Sequence, residues 1–319
     1  MRTGLLDVHA HFLPDAYRAA AISAGHEHPD GFTELPAWSS SQHLELMDQL
    51  GIATSMLSIS SPGVRFGNDE DARALARSVN EDGHRAVRAH PGRFGLLASL
   101  PLPDVSGSVD EIAFCLDELD ADGFALLTNV EGLYLGDAQL EPVFDELDRR
   151  RARVLLHPTS PPCFEATSMD RPRPMIEFLF ETTRTVVNLL LSGTIARHPN
   201  IEFIVPHAGA TLAMVIDRVS AFSFVLPDLA PGLDVAADLR RLHFELAGFP
   251  VPRQLDALEH LADPSRVHYG SDFPFTPAAV VELALGALEA ADDEDGDLMA
   301  RLASNTATLF PRLSTRRGV

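Results

Sequence analysis

The 319-residue sequence predicts an α/β fold: a (β/α)8 TIM barrel with long βα loops over its C-terminal mouth, one domain spanning residues 1–319. Three observations carry this. Eight short apolar segments recur along the chain, most of them followed by a stretch of helical period. They are continuously apolar rather than alternating, as parallel strands covered on both faces are. No G-x-G-x-x-G follows the first of them, so a doubly wound dinucleotide fold lacks its main cue. Eight such units in a chain of this length match a (β/α)8 barrel.

Strand one runs from Leu5 into His9 and His11. Residues 14–41 are polar, with little periodicity, and read as a long active-site loop. Ser41 to Leu50 is a helix with Leu44, Met47 and Leu50 on one face, stopped by Gly51. Ile52 to Ile59 is strand two. Asn68 to Ala89 is a long helix carried by Ala72, Leu75, Ala76 and Val79. Phe94 to Leu100 is strand three, and Val109 to Leu119 the helix after it. Gly123 to Asn129 is strand four, followed by a helix over Leu140 to Arg150 and strand five from Arg153 to His157. Residues 158–174, rich in proline and serine, form the second long loop. Met175 to Arg197 reads as one buried apolar helix, and Ile201 to His207 as strand six. Ala210 to Ser223 is helical, and Pro227 to Pro231 breaks the chain. Strand seven spans Leu242 to Leu246 and strand eight Arg266 to Gly270, with a helix over Pro252 to Leu261 between them. Helices over Pro277 to Ala291 and Leu298 to Leu309 close the chain.

Formal charge is −21, from 25 basic and 46 acidic side chains. A surface this acidic repels nucleic acid and anionic membranes, which excludes both as partners. An acidic small-molecule substrate would need strong local positive charge, from a metal or a few arginines. Cys115 and Cys163 make no disulfide framework, which suits a reducing cytoplasm. Strand one begins almost at once, leaving no room for a signal peptide. No apolar run reaches the ~18 residues of a membrane span; the longest, around Thr185 to Ile195, contains Asn188 and Ser192.

Barrel chemistry sits at the C-terminal strand ends. In a strand, residues i and i+2 share a face, so His9 and His11 project together. Strand five ends at His157, strand six at His207, and strand eight leads to Asp272. Four imidazoles and a carboxylate at four mouth ends are the donor set for Zn²⁺, with Mn²⁺ or Fe²⁺ also suited. The remaining histidines fall on helices, turns or loops, or, like His243 and His268, inside strands away from the mouth.

These motifs resemble the metal-dependent decarboxylase branch of the amidohydrolase superfamily. The likeness rests on Asp7-Val8-His9-Ala10-His11, Leu156-His157-Pro158, Leu189-Leu190-Leu191-Ser192-Gly193 with Arg197-His198-Pro199, Pro206-His207-Ala208-Gly209-Ala210, and Tyr269-Gly270-Ser271-Asp272-Phe273-Pro274-Phe275. It implies a carboxy-lyase acting on a small aromatic or muconate-like carboxylic acid. It implies His9, His11, His157 and Asp272 as ligands of one divalent ion, zinc first and manganese as the alternative. His207 corresponds to the acid/base beside the metal, and Asp272 is the expected proton donor to an aromatic ring. The carboxylated lysine of many relatives has no counterpart, since the chain contains no lysine, which favours one metal. Arg218 matches an arginine that crosses a homodimer interface to hold the substrate carboxylate. A second substrate arginine expected in the first loop is missing; Arg18 comes too early. A monocarboxylic aromatic acid therefore fits better, with Trp38 and Phe275 as candidate walls for a flat ring. Arg65, Arg171 and Arg173, on or near these loops, are candidates for anion contacts, with solvated loop arginines as the competing reading since exposed arginine is the rule. Two other readings use the same residues: metal-dependent hydrolysis of a lactone, amide or ester, and a catalytically silent barrel that binds without turnover.

Overall fold

A strand whose every residue is buried belongs inside a barrel wall, and β1 (Leu5–His11) is buried along its whole length. The computed structural model describes residues 4–226, 233–292 and 297–316. In it β1 is followed by β2 (Ile52–Ser58), β3 (Phe94–Ala98), β4 (Gly123–Leu127), β5 (Arg153–His157), β6 (Glu202–Val205), β7 (His243–Glu245) and β8 (Val267–His268). The eight lie side by side in sequence order, each pair parallel. The segment after β8 returns to β1: Val8 N donates to Tyr269 O at 3.0 Å and His11 N to Phe273 O at 2.7 Å. This closes the predicted barrel.

One irregularity bears on the site. Asp7 pairs with Ser55 but Ala10 pairs with Leu57, so β1 carries one residue more than β2 over this stretch. Such a bulge re-aims side chains locally. Val8 joins the inner cluster of Met56, Leu97, Leu155 and Ile204, while His9 and His11 still converge on the mouth. Leu309, Phe310 and Leu313 complete the inner cluster. They come from the N-terminal side of the strands, since Leu309 O accepts from Arg153 at the start of β5. The barrel is thus plugged at one end and open at the other. The larger cluster lies between strands and helices.

Helix boundaries follow local chemistry. Ser39 caps Ser40–Leu50 by accepting from Gln42 N, and Gly51 stops it at φ 73°. Asn68 caps Asp69–Ala89, whose first turn holds three acids and whose last holds Arg88, as the helix dipole favours. Four features differ from the sequence reading. Residues 14–41 are not all loop, for Asp15–Ser23 is a helix that buries Tyr17 and Ala21. Residues 158–174 contain the short helix Phe164–Thr167. The stretch 175–197 breaks at Gly193 (φ 73°) into Glu177–Leu191 and Thr194–Arg197. Asn129–Val130 and Leu133–Tyr134 form a small hairpin after β4. The break at Pro227 to Pro231 lies outside the described residues. Among the described residues no helix is long and apolar enough to cross a membrane.

His243 and His268 bond to each other at 2.8 Å, and His268 continues to Thr306 at 2.9 Å. Glu202, at the start of β6, meets His243 and Arg266, each at 3.0 Å. The His243 hydrogen bond, then Arg266, outweigh partial burial and hold the Glu202 carboxyl down to about 2. A lowered carboxylate stabilises the fold above its unfolded value, and that contribution is lost as pH falls toward the folded one. Glu202 is partly exposed, so solvent screening keeps the gain small. Glu202→Gln is expected to lower Tm at pH 7 by about 1–2 °C. Scanning calorimetry should find that deficit shrinking between pH 4.5 and pH 3; a constant deficit would contradict the pairing.

Candidate metal centre and active site

The β1 end supplies His9 and His11, β5 supplies His157, and the turn after β8 supplies Asp272 at φ 57°. His9 Nε2 and His11 Nε2 face each other at 3.0 Å. Asp272 Oδ1 lies 3.0 Å from His11 Nε2 and 3.6 Å from His9 Nε2. One ligand atom from each of His9, His11, His157 and Asp272 falls within 4.8 Å of all the others. The three imidazoles are buried and Asp272 partly so.

The outer ring nitrogens define what the inner ones can do. His157 Nδ1 sits 2.7 Å from Pro158 O; a carbonyl only accepts, so that nitrogen carries the proton. His9 Nδ1 is 2.9 Å from the Glu245 carboxylate, which likewise only accepts. His11 Nδ1 is 2.9 Å from Ser58 Oγ, whose hydroxyl is already donated to Ala10 O, so the ring donates here too. With all three Nδ1 atoms protonated, three Nε2 lone pairs converge beside a carboxylate. Lone pairs and a negative charge at this spacing repel unless a cation lies among them, and this donor set is the one divalent metals take. Ser60 Oγ lies 3.2 Å from His157 Nε2.

Electrostatics express the same demand. Burial opposes charge on His9, but Glu245 and then Asp272 outweigh it and lift the ring to about 9. A proton there supplies the positive charge that a metal ion would replace. Burial lowers His11, and burial together with the neighbouring histidines drops His157 further. Asp272 is held well below the usual carboxylate range: burial would raise it, but the His11 hydrogen bond and the neighbouring His207 and His9 rings prevail. Asp7, a wholly buried residue of β1, is pushed by burial up to about 7 despite hydrogen bonds from Ser271 and the His9 backbone.

Sequence reading missed Glu245. It sits fully buried at the end of β7 and ties three parts together. Oε1 accepts from His9 Nδ1 and from His207 N at 2.7 Å, and Oε2 accepts from Ala247 N at 2.6 Å. A side chain at Gly270 would meet Glu245 Oε2 at 1.9 Å, so only glycine leaves it room. His207 follows β6 at φ 55°, with Nε2 3.9 Å from Asp272 Oδ2 and its buried Nδ1 without a hydrogen-bond partner.

Above the centre lies a cavity of about 460 Å³, whose lining includes His157, His207 and Asp272. Phe32, Phe178, Phe249 and Phe275 contribute apolar walls. Phe275 stands edge-on to His11, ring centroids 5.6 Å apart. Trp38 is elsewhere: it packs on Phe12 and donates to His43 Nδ1 at 3.1 Å. Arg218 is exposed on the helix Leu212–Val225, over Phe222, and does not line this chain's pocket. Arg171 is exposed. Arg65 pairs with Asp69 and Glu131, and Arg173 bonds Ser160 Oγ at 3.0 Å, so neither is a free solvated side chain.

The amidohydrolase family profile matches residues 6–312. The 6-methylsalicylic acid decarboxylase of Aspergillus aculeatus is 36% identical over 324 residues, covering 97% of this chain and 96% of its own. A solved amidohydrolase II structure superposes with a TM-score of 0.91 at 34% identity, covering 97% of this chain and all of the other. A dihydroxybenzoic acid decarboxylase of Polaromonas, solved with bound manganese and 2-nitroresorcinol, gives a TM-score of 0.82 at 22% identity, covering 97% of each chain.

Glu245→Gln keeps the shape but removes the charge that fixes the His9 tautomer, and its amide cannot accept at both oxygens' positions. Metal affinity, measured by chelator competition, should fall by about 10–100-fold. Unchanged affinity would show that Glu245 does not orient His9.

Proposed function

The chain belongs to the amidohydrolase family, and from that premise we propose that it is a metal-dependent, non-oxidative carboxy-lyase that removes CO₂ from a small aromatic carboxylic acid. The observation that carries this is the convergence of three Nε2 lone pairs and the Asp272 carboxylate beneath a pocket with aromatic walls. Full-length similarity to a 6-methylsalicylic acid decarboxylase supports the reaction class. His9, His11, His157 and Asp272 would hold the ion, zinc favoured by the histidine-rich set and manganese the alternative supported by the Polaromonas structure. When bound, that ion supplies the Lewis-acid charge that holds the substrate carboxylate in an otherwise acidic protein.

The chain's own residues then manage one proton. Glu245 fixes His9 from behind and accepts the His207 backbone N–H, setting two functional rings on one carboxylate. As a carboxylate that would ligate the ion, Asp272 carries no proton, so the proton it gives must reach it first. His207 Nε2, 3.9 Å from Asp272 Oδ2, would hand it over through one water or after a small approach. Asp272 passes the proton to the ring carbon bearing the carboxylate. A C–H bond forms there, the C–C bond breaks, and CO₂ leaves with the ring restored. Phe275 and Phe32, centroids 5.7 Å apart, keep water from the flat face of the ring.

A homodimer completes this reading. The helix Leu212–Val225 leaves Met214 73% and Val225 71% exposed alongside Arg218, an apolar face with a cation on it. That face suits contact with a second copy, whose pocket Arg218 would then reach to clamp the substrate carboxylate. The two unpaired cysteines fit a reducing, cytoplasmic setting.

Metal-replete protein should release CO₂ from salicylate-type acids in preference to muconate-type acids. His157→Ala and Asp272→Ala should each lose both the ion, by elemental analysis, and turnover. Full metal and full rate in either variant would overturn the ligand assignment. No CO₂ from any acid in the panel would favour hydrolysis of a lactone, amide or ester instead.

A further inference from the structure

The pocket has an unexpected charge balance. Among the described residues lining it there is no arginine, and the chain has no lysine. Besides Asp272 one further acid lines it: Asp30, 7% exposed, in the first long loop. Two arginines stand close by but on the other side. Arg65 and Arg173 line a separate cavity of about 550 Å³, and Asp30 lines both spaces, so it stands in the partition between them.

The partition is built. Asp30 adopts φ 53°, a left-handed conformation that aspartate, asparagine and glycine tolerate best. Its Oδ1 accepts from Ser160 Oγ and, at 3.3 Å, from Ser160 N. Ser160 Oγ accepts in turn from Arg173 Nε at 3.0 Å. Arg173 is locked behind this chain: its guanidinium lies 4.4 Å from the Phe164 ring centroid, and a side chain at Gly31 would meet its Nη1 at 2.9 Å. The arrangement ties the first long loop to the second and keeps the guanidinium out of the pocket while Asp30 lines its wall.

We propose that Asp30 is a specificity determinant that restricts the pocket to aromatic acids carrying one negative charge. This rests on the reading that the pocket takes an aromatic acid at the metal. A second substrate carboxylate would enter a space already lined by Asp30 and Asp272, with no arginine or lysine among its described lining residues to meet it. Like charges brought together out of water disfavour binding strongly. The one arginine that a second copy would lend is matched by the carboxylate that reacts. A neutral hydroxyl, by contrast, can donate to Asp30, and a methyl group can rest on the aromatic walls.

Calorimetric binding to the metal-loaded protein tests this with 6-methylsalicylate against two dianions, 3-hydroxyphthalate and 4-hydroxyisophthalate. Wild type should prefer the monoanion by about 30-fold or more. Asp30→Asn and Asp30→Gly both suit the positive φ and both remove the charge, so failure of one to fold leaves the other. Either should narrow the preference by about tenfold. A residue that only braces the loops would weaken all three ligands alike and leave the ratio unmoved, which overturns the proposal. Equal affinities in wild type overturn it too, as does failure of 6-methylsalicylate to bind. Binding with the expected ratio but no CO₂ from the monoanion would sink the decarboxylase reading and leave this one standing.

Discussion

Three imidazole lone pairs and a carboxylate do not share a few ångströms of buried space without a positive charge among them. Much of the barrel mouth can be read as what it takes to impose that arrangement. The Nδ1 hydrogen bonds to Glu245, Ser58 and Pro158 O each remove one alternative tautomer. The β1 bulge, the glycine at 270 and the left-handed Asp272 each place a group that regular strand geometry would not. None of these features stabilises the fold as an apolar residue in its place would. They make sense as the cost of a preorganised cation site.

The same centre explains how so acidic a protein can take an anionic substrate. With 21 more acidic than basic side chains, the long-range field opposes any carboxylate. A cation held by the cluster at the floor of the pocket would reverse that locally for one negative charge. Asp30 at the partition then sets how many charges are admitted, and the Arg173–Ser160 chain keeps it there. Attraction at the floor and rejection at the wall are separate devices, which is how binding sites commonly obtain selectivity.

Much of the barrel was legible because buried parallel strands are continuously apolar and helix stops carry local signals such as Gly51. Four of the candidate site groups were legible because a polar residue ending an apolar strand stands out: His9 with His11 two residues on, His157 and His207. Asp272 was legible as the carboxylate to which strand eight leads. Glu245 was not, though it also ends an apolar strand, because a single glutamate in Phe244-Glu245-Leu246 has no spacing partner. Only barrel closure, which brings β7 and β8 round to β1, puts it behind His9. The helix Asp15–Ser23 escaped notice because it buries only Tyr17 and Ala21, too little apolar periodicity to register. Asp30 and Arg173 are far apart in sequence, and nothing local announces that two loops meet there. Trp38 was set against the core by packing on Phe12, which composition does not foretell.

The most direct measurement is anomalous diffraction from crystals of the protein loaded with zinc or manganese. One peak is expected per chain, within about 2.0–2.2 Å of the Nε2 atoms of His9, His11 and His157 and of an Asp272 carboxylate oxygen. A peak ligated through any Nδ1 atom, two peaks sharing the site, or no peak at this position at full metal occupancy would contradict the account.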